Sequence, residues 1–402
     1  VSFKSLFGKD MAGLWTRDLL VTTVAIFFMR FGEGMLNGAR MNFFVDTLGI
    51  TGGQVLWLEG IREIPGLILI VLAALTMRLP LSYRSAISAL ILGAGYMLMA
   101  TAQSYTGLLA FAVVASFGLH LFQPISPALG LALATERTRG RVLGLLASVG
   151  SLASIVGIGA LAISSNLLRD FSLRYYYVIG GAIILVSAVV FWRLSPKVGA
   201  TDLKQPRIVV KKRYWRFYTL KFFEGSRKEV LGSFCTLVLV DYFGWQVWQT
   251  SSLLMVASVL TLLLAPYLGG LVDRFGSRNA LLAGYSILLV GAIVYATVPN
   301  AVVLAATYIV MRLGLILNLG LNVYAHERAP AEELNPTLAA GVSFDHISSV
   351  AMPFIYGALM PIIGYTGVYW FAASIIFLSV LFVARLIPNP QPKPARTLAG
   401  AE

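Results

Sequence analysis

Of 402 residues, 58% are apolar, 12% aromatic and 12% charged, and the mean hydropathy is +0.80. Soluble domains carry about 25% charged residues, so this composition excludes a soluble enzyme, a disordered chain and a secreted disulfide scaffold. Uncharged apolar runs such as 85–102 and 280–298 match the hydrocarbon core of a bilayer, about 30 Å thick, and imply an all-α polytopic membrane protein. The single cysteine, Cys235, excludes an intrachain disulfide, and three histidines (His120, His326, His346) argue against a structural zinc site. The net charge of +13 reads as topology rather than as a nucleic-acid footprint. The first apolar stretch, from Leu19, is too long for a cleavable signal peptide.

Twelve transmembrane helices are predicted, over 19–46, 53–77, 83–103, 106–134, 143–165, 174–194, 214–243, 246–270, 279–298, 301–325, 336–363 and 366–387. In the first, Arg30, Glu33, Asn37 and Arg40 fall within an arc of about 80°, one polar stripe that suits solute binding or a structural salt-bridge ladder. The second carries Glu59, Arg62 and Glu63 on one face, ahead of Pro65-Gly66, which can bend it. Two carboxylates one turn apart resist ionising together. One of them then exchanges a proton with a cavity, or both share Arg62 as an external gate. The fourth span offers His120 and Gln123 before Pro124 and Pro127; a histidine at this depth is a proton carrier or a packing residue. Small residues from Gly150 to Gly157 in the fifth allow close helix packing. Tyr175, Tyr176, Tyr177 and Trp192 mark the ends of the sixth as interfacial aromatics.

A polar, basic stretch at 195–213 separates a first six-helix bundle, 1–194, from a second, 214–402, which ends in a short tail. The bundles resemble each other: Arg30-Phe31-Gly32-Glu33-Gly34 recurs as Lys221-Phe222-Phe223-Glu224-Gly225, and Val45-Asp46 as Val240-Asp241. Internal repeats of this kind build many secondary transporters. The seventh span also carries Arg227, Lys228 and Glu229; the tenth has Arg312, Asn318 and Asn322. In the eleventh, Asp345 and His346 are adjacent and so about 100° apart, with Asp345 expected to pair with a base of span seven or ten. Of 31 lysines and arginines, seven lie inside spans, Arg169 and Arg174 fall on one side and the other 22 on the opposite side. That asymmetry places both termini in the cytoplasm of a plasma-membrane protein.

Between spans eight and nine the chain reads Gly269-Gly270-Leu271-Val272-Asp273-Arg274-Phe275-Gly276-Ser277-Arg278, and between four and five Glu136-Arg137-Thr138-Arg139-Gly140-Arg141-Val142-Leu143-Gly144. The first closely resembles the G-x-x-x-D-R-x-G-R-R/K loop of the major facilitator superfamily and the second its E-R-x-R-G-R-x-x-G segment. A degraded copy of the loop motif, lacking the aspartate, occupies 75–80. The resemblance implies two pseudo-symmetric six-helix bundles, with spans one, four, seven and ten around a central cavity and every third span facing lipid. It also implies a gating loop in which Asp273 faces a helix N-terminus while Arg274 and Arg278 bind carbonyls or acidic lipid headgroups. Two departures argue against a drug:proton antiporter: Gly118-Leu119-His120 stands where many members have an arginine, and the fifth span lacks the Gly-Pro signature.

Thirteen charged side chains lie well inside spans, away from their ends; exposed singly to lipid they would cost about 40 kcal/mol, at about 3 kcal/mol each. They must pair or line a wet cavity. All belong to spans one, two, seven, ten and eleven; three, six, nine and twelve have none apart from terminal anchors such as Arg84 and Arg193. The function expected is secondary active transport, symport or antiport, of a small organic anion or zwitterion by alternating access. Substrate binding is expected at Arg30, Glu33, Asn37, Arg40, His120, Gln123, Glu224, Lys228, Arg312 and Asn318. Proton coupling is expected through Glu33, Glu59, Glu63 or Asp345, and gating through Arg62, Asp273, Arg274 and Arg278. No cofactor, metal, nucleic acid or enzymatic activity is expected; the partners are the solute, protons and membrane lipids, and the chain is read as a monomer. The alternatives are an exporter of amphipathic drugs or lipids and a non-transporting receptor or scaffold on the same fold.

Overall fold

The computed structural model describes residues 15–68, 79–199 and 210–387. Helix α1 (Arg17–Asn42) starts where the Thr16 hydroxyl accepts the Leu19 N–H at 3.1 Å, and it runs into a π-helical turn, Phe43–Thr47. A capping box of Thr51 and Gln54 starts α2 (Gly52–Leu67); the rest of the predicted second span lies outside the described residues, as does most of the degraded loop motif. Helices α3 (Leu81–Ala100), α4 (Tyr105–Ala132), α5 (Arg139–Leu167) and α6 (Leu173–Trp192) match the next four spans.

The seventh span is divided at Gly232 into α7 (Trp215–Leu231) and α8 (Ser233–Asp241). Next come α9 (Val247–Thr297), α10 (Ala301–Gly314), a 3-10 turn Leu315–Asn318, α11 (Leu319–Arg328) and α12 (Ala331–Leu386). Left straight, the 51 residues of α9 and the 56 of α12 would extend about 76 and 84 Å, well over twice a bilayer core. Each instead folds at one glycine with positive φ, Gly276 (79°) and Gly364 (63°), a backbone state that residues with a Cβ avoid. Spans eight and nine, and eleven and twelve, are the two arms of these elements. Eight elements are long and apolar enough to cross a membrane; with α9 and α12 doubled, α2 and α7–α8 supply the other two of twelve. No strand occurs among the described residues.

In the first half α1 packs on α5 and α6, and α3 on α4 and α6; in the second, α7 packs on α12, and α9 on α10 and α12. The halves meet mainly through α2 on α12 and α5 on α9. The small residues of α5 act as expected: a Cβ on Gly157 would lie 2.1 Å from the Phe31 carbonyl oxygen of α1. Tyr176 and Tyr177 are buried, Tyr177 stacking on Phe43 at 4.0 Å between ring centroids, so of the predicted aromatics on α6 only Tyr175 and Trp192 face outward. Large apolar side chains such as Ile163, Val189, Val302 and Ile362 are exposed around the perimeter, the surface a lipid environment would cover. At one end the halves are tied together. The Asn42 side-chain amide donates across the halves to the Trp245 carbonyl at 2.7 Å, and within its own half to Asp46 at 2.8 Å.

The α9 loop motif works within its own half. Arg278 donates to the carbonyls of Ile387 at 2.9 Å and Ala384 at 2.7 Å, so its cation caps the C-terminus of α12. Asp273 is exposed and Arg274 lies over the Phe275 ring at 5.4 Å. Arg278→Ala is expected to fray the last turn of α12 and speed its amide exchange about two- to fivefold. Unchanged exchange there, measured by mass spectrometry, would rule the cap out.

Candidate functional site

The repeated sequence pentads make the same ion pair one helical turn long. Arg30 reaches Glu33 at 2.8 Å on α1, and Lys221 reaches Glu224 at 2.6 Å on α7. Further along α1, Arg40 crosses to the other half, donating to the Ser233 hydroxyl at 2.8 Å and lying 3.7 Å from Glu59 of α2. Ser233, at the start of α8, donates in turn to the buried Glu229 at 3.0 Å. Of the expected residues on this side, Asn37 and Gln123 are exposed and make no side-chain hydrogen bond among the described residues.

The two carboxylates of α2 have different partners. Glu59, only 4% exposed, takes Arg62 at 2.7 Å as well as Arg40. Arg62 therefore does not bridge Glu59 and Glu63, and its ion pair stays on its own helix; its backbone carbonyl accepts from Ser116 of α4. Glu63 sits one turn on and faces the second half. It holds Lys228 of α7 at 2.8 Å and the Nδ1 of His346 of α12 at 3.2 Å. His120 of α4 comes edge-on to His346, with ring centroids 5.6 Å apart, and its own Nδ1 lies 2.9 Å from the Ser116 carbonyl.

Ligand-type atoms of Glu63, His120 and His346 all lie within 4.8 Å of one another. Counting histidines along the sequence argued against a metal site, yet folding gathers two imidazoles and a carboxylate from three helices. Because Lys228 already places a cation on this carboxylate, the cluster suits protons better than a further dication. Gly66 makes room for it: a Cβ there would meet His346 Cε1 at 2.6 Å and His120 Cδ2 at 2.9 Å. Gly66→Val is expected to push the imidazoles apart and lengthen the His346–Glu63 contact. Histidine ring resonances matching the parent protein in NMR spectra would contradict that.

A cavity of about 310 Å³ opens beside the cluster, with Lys221, Glu224, Arg227, Lys228, Arg312, Asn318 and Asp345 in its wall. An adjoining space of about 340 Å³ shares Lys221, Glu224 and Asn318 and adds Asn322. The structure thus brings Glu224, Lys228, Arg312 and Asn318 together, whereas Arg30, Glu33, Asn37, Arg40, His120 and Gln123 are not in this wall. Asp345 departs from expectation: it forms no ion pair within 4 Å among the described residues, and its neighbour His346 takes the cross-half contact instead. Sequence reasoning left Arg227 out of the site because neighbouring charges on α7 masked it; the signal available was a third base within one turn of Lys228 and Glu229.

The model of the Major Facilitator Superfamily matches residues 217–402. Among solved structures, the nucleoside transporter NupG is similar at TM-score 0.75 and 13% identity, covering 92% of this chain and 99% of that one. A bacterial homologue of the human lysosomal transporter Spinster aligns at TM-score 0.71 and 16% identity, over 91% of this chain and 94% of that one. A POT family transporter, crystallised with a thioalcohol-conjugated peptide, aligns at TM-score 0.72 and 13% identity, over 92% and 95%. No curated protein matches the chain. The Major Facilitator Superfamily model covers the second half of this multi-pass membrane protein, the fold of these solved transporters runs through more than nine-tenths of the chain, and the loop motif stands where the helices turn.

Proposed function

We propose that the protein is a secondary active transporter that moves a small organic anion or zwitterion by alternating access, coupled to protons. The observation that carries this reading is the Glu63 cluster, where one carboxylate of the first half holds an ammonium and an imidazole of the second, beside a basic cavity. Protonating Glu63 removes the charge that holds Lys228. Proton uptake there therefore weakens a tie between halves, which is what coupling requires. Glu59, by contrast, is committed to two guanidinium groups and is assigned a structural role; Glu33 is paired with Arg30 on its own helix.

The units that rock are 1–194 and 214–402, joined by 195–213, with both termini in the cytoplasm of a plasma membrane. On that orientation the Asn42–Trp245 tie closes the external end, and the described conformation faces inward. The test is internal pH in dye-loaded proteoliposomes while organic anions, zwitterions and cations are added in turn outside. A solute-dependent pH change absent from empty vesicles is expected for an anion or zwitterion. Flux of solute with no proton movement would sink the coupling, and absence of any flux would sink transport.

A further inference from the structure

Arg227 is 2% exposed, and its Nε, Nη1 and Nη2 all lack hydrogen-bond partners; its guanidinium carbon lies over the Tyr285 ring, 3.9 Å from the centroid. An ion buried without a partner is destabilising, and a ring face compensates only part of that. The side chain lines the 310 Å³ cavity, where Lys221 is already matched by Glu224 and Lys228 by Glu63. What remains unmatched in the wall among the described residues is two guanidinium groups, Arg227 and Arg312, and one carboxylate, Asp345. The side-chain oxygen of Asn318 is also buried without a partner.

These unmet groups form a pattern. Two planar forks of donors suit an oxyanion gripped through both oxygens. Two acceptors, Asp345 and Asn318, suit an N–H or O–H donor on the same molecule and repel a bare anion. The unmatched charge is one positive in excess, which a monoanion cancels and a phosphate dianion would overshoot. The volume corresponds to about ten waters at about 30 Å³ each, with the adjoining space continuing past Asn318 toward Asn322, room for a small molecule. We propose that this cavity binds a small amino or hydroxy carboxylic acid, its carboxylate on Arg227 and Arg312 and its ammonium or hydroxyl on Asp345 and Asn318. The proposal rests on reading this cavity as the transport site and names its substrate class.

The test is equilibrium binding to the purified full chain, by calorimetry, with alanine, lactate, propionate and inorganic phosphate as probes. Alanine or lactate is expected to bind at least tenfold more tightly than propionate or phosphate. Arg312→Gln and Arg227→Gln should each weaken that binding at least tenfold, and Arg227→Lys should fail to restore it, since an ammonium has no fork. Arg193→Gln, on the surface away from the cavity, should bind as the parent does. Asp345→Asn should narrow the preference over propionate. Arg312 is only partly buried, so its variant keeps the test decisive even where Arg227→Gln does not fold. Equal binding of propionate, preference for phosphate, indifference to Arg312→Gln, or no binding by any probe overturns the proposal. Binding needs no flux: acid binding in a protein that transports nothing sinks the transport reading alone, whereas flux of another solute without acid binding sinks this one alone.

Discussion

Glu63→Gln is expected to abolish the solute-driven pH change proposed for proteoliposomes and to open the tied end of the molecule. The amide keeps the shape of the side chain but carries no charge for Lys228, 2.8 Å away, and accepts no proton. Because the Lys228 side chain is 43% exposed, losing its partner costs about 1 kcal/mol, enough to shift the balance between conformations about fivefold. The opening has its own readout. Cys235 is fully buried and the chain has no other cysteine, so thiol reagents should leave the parent almost unlabelled. Met360→Cys places a thiol where α12 packs on Gly52 and Gly53 of α2; it should react faster with Glu63→Gln than without it. A Glu63→Gln protein that still moves protons with solute, and labels no faster, contradicts the role given to this carboxylate.

Glu59→Gln lowers stability rather than uncoupling transport. Its carboxylate is almost inaccessible and serves both Arg62 and Arg40, so the amide leaves two mostly buried guanidinium groups without an anion. A loss of about 3 kcal/mol or more is expected, seen as a lower thermal midpoint in detergent and a poorer yield. Adding Arg62→Gln to Glu59→Gln should recover much of the loss, because the stranded charge is then gone; such non-additivity marks direct contact. Single and double variants that melt alike would show that Glu59 is not the counter-ion of Arg62.

The twelve spans were legible because a bilayer imposes one length on every apolar run, and because the motif glycine, Gly276, has to supply the positive φ that turns α9 back on itself. The repeat was legible too: the pentads at Arg30 and Lys221 form matching ion pairs. Partner choice was not. Helical spacing gives Arg62 to Glu59, three residues back, but leaves Glu63 without a partner, and only the approach of α7 and α12 decides that it turns to Lys228 and His346. Likewise, the sequence favours Asp345 over His346 for the cross-helix pair, and the rotation of α12 about its axis instead turns His346 to α2. The break at Gly232 was missed because a single glycine inside an apolar run carries no distinct signal.

Lys228 belongs at once to the cavity wall and to the Glu63 ion pair. A carboxylate held by Arg227 and Arg312 would therefore lie in the same wall as an ammonium that Glu63 already holds. By linkage, whatever factor that ion pair imposes on the anion's affinity, the anion imposes on the pair, so one shared lysine ties occupancy of the cavity to contact between the halves.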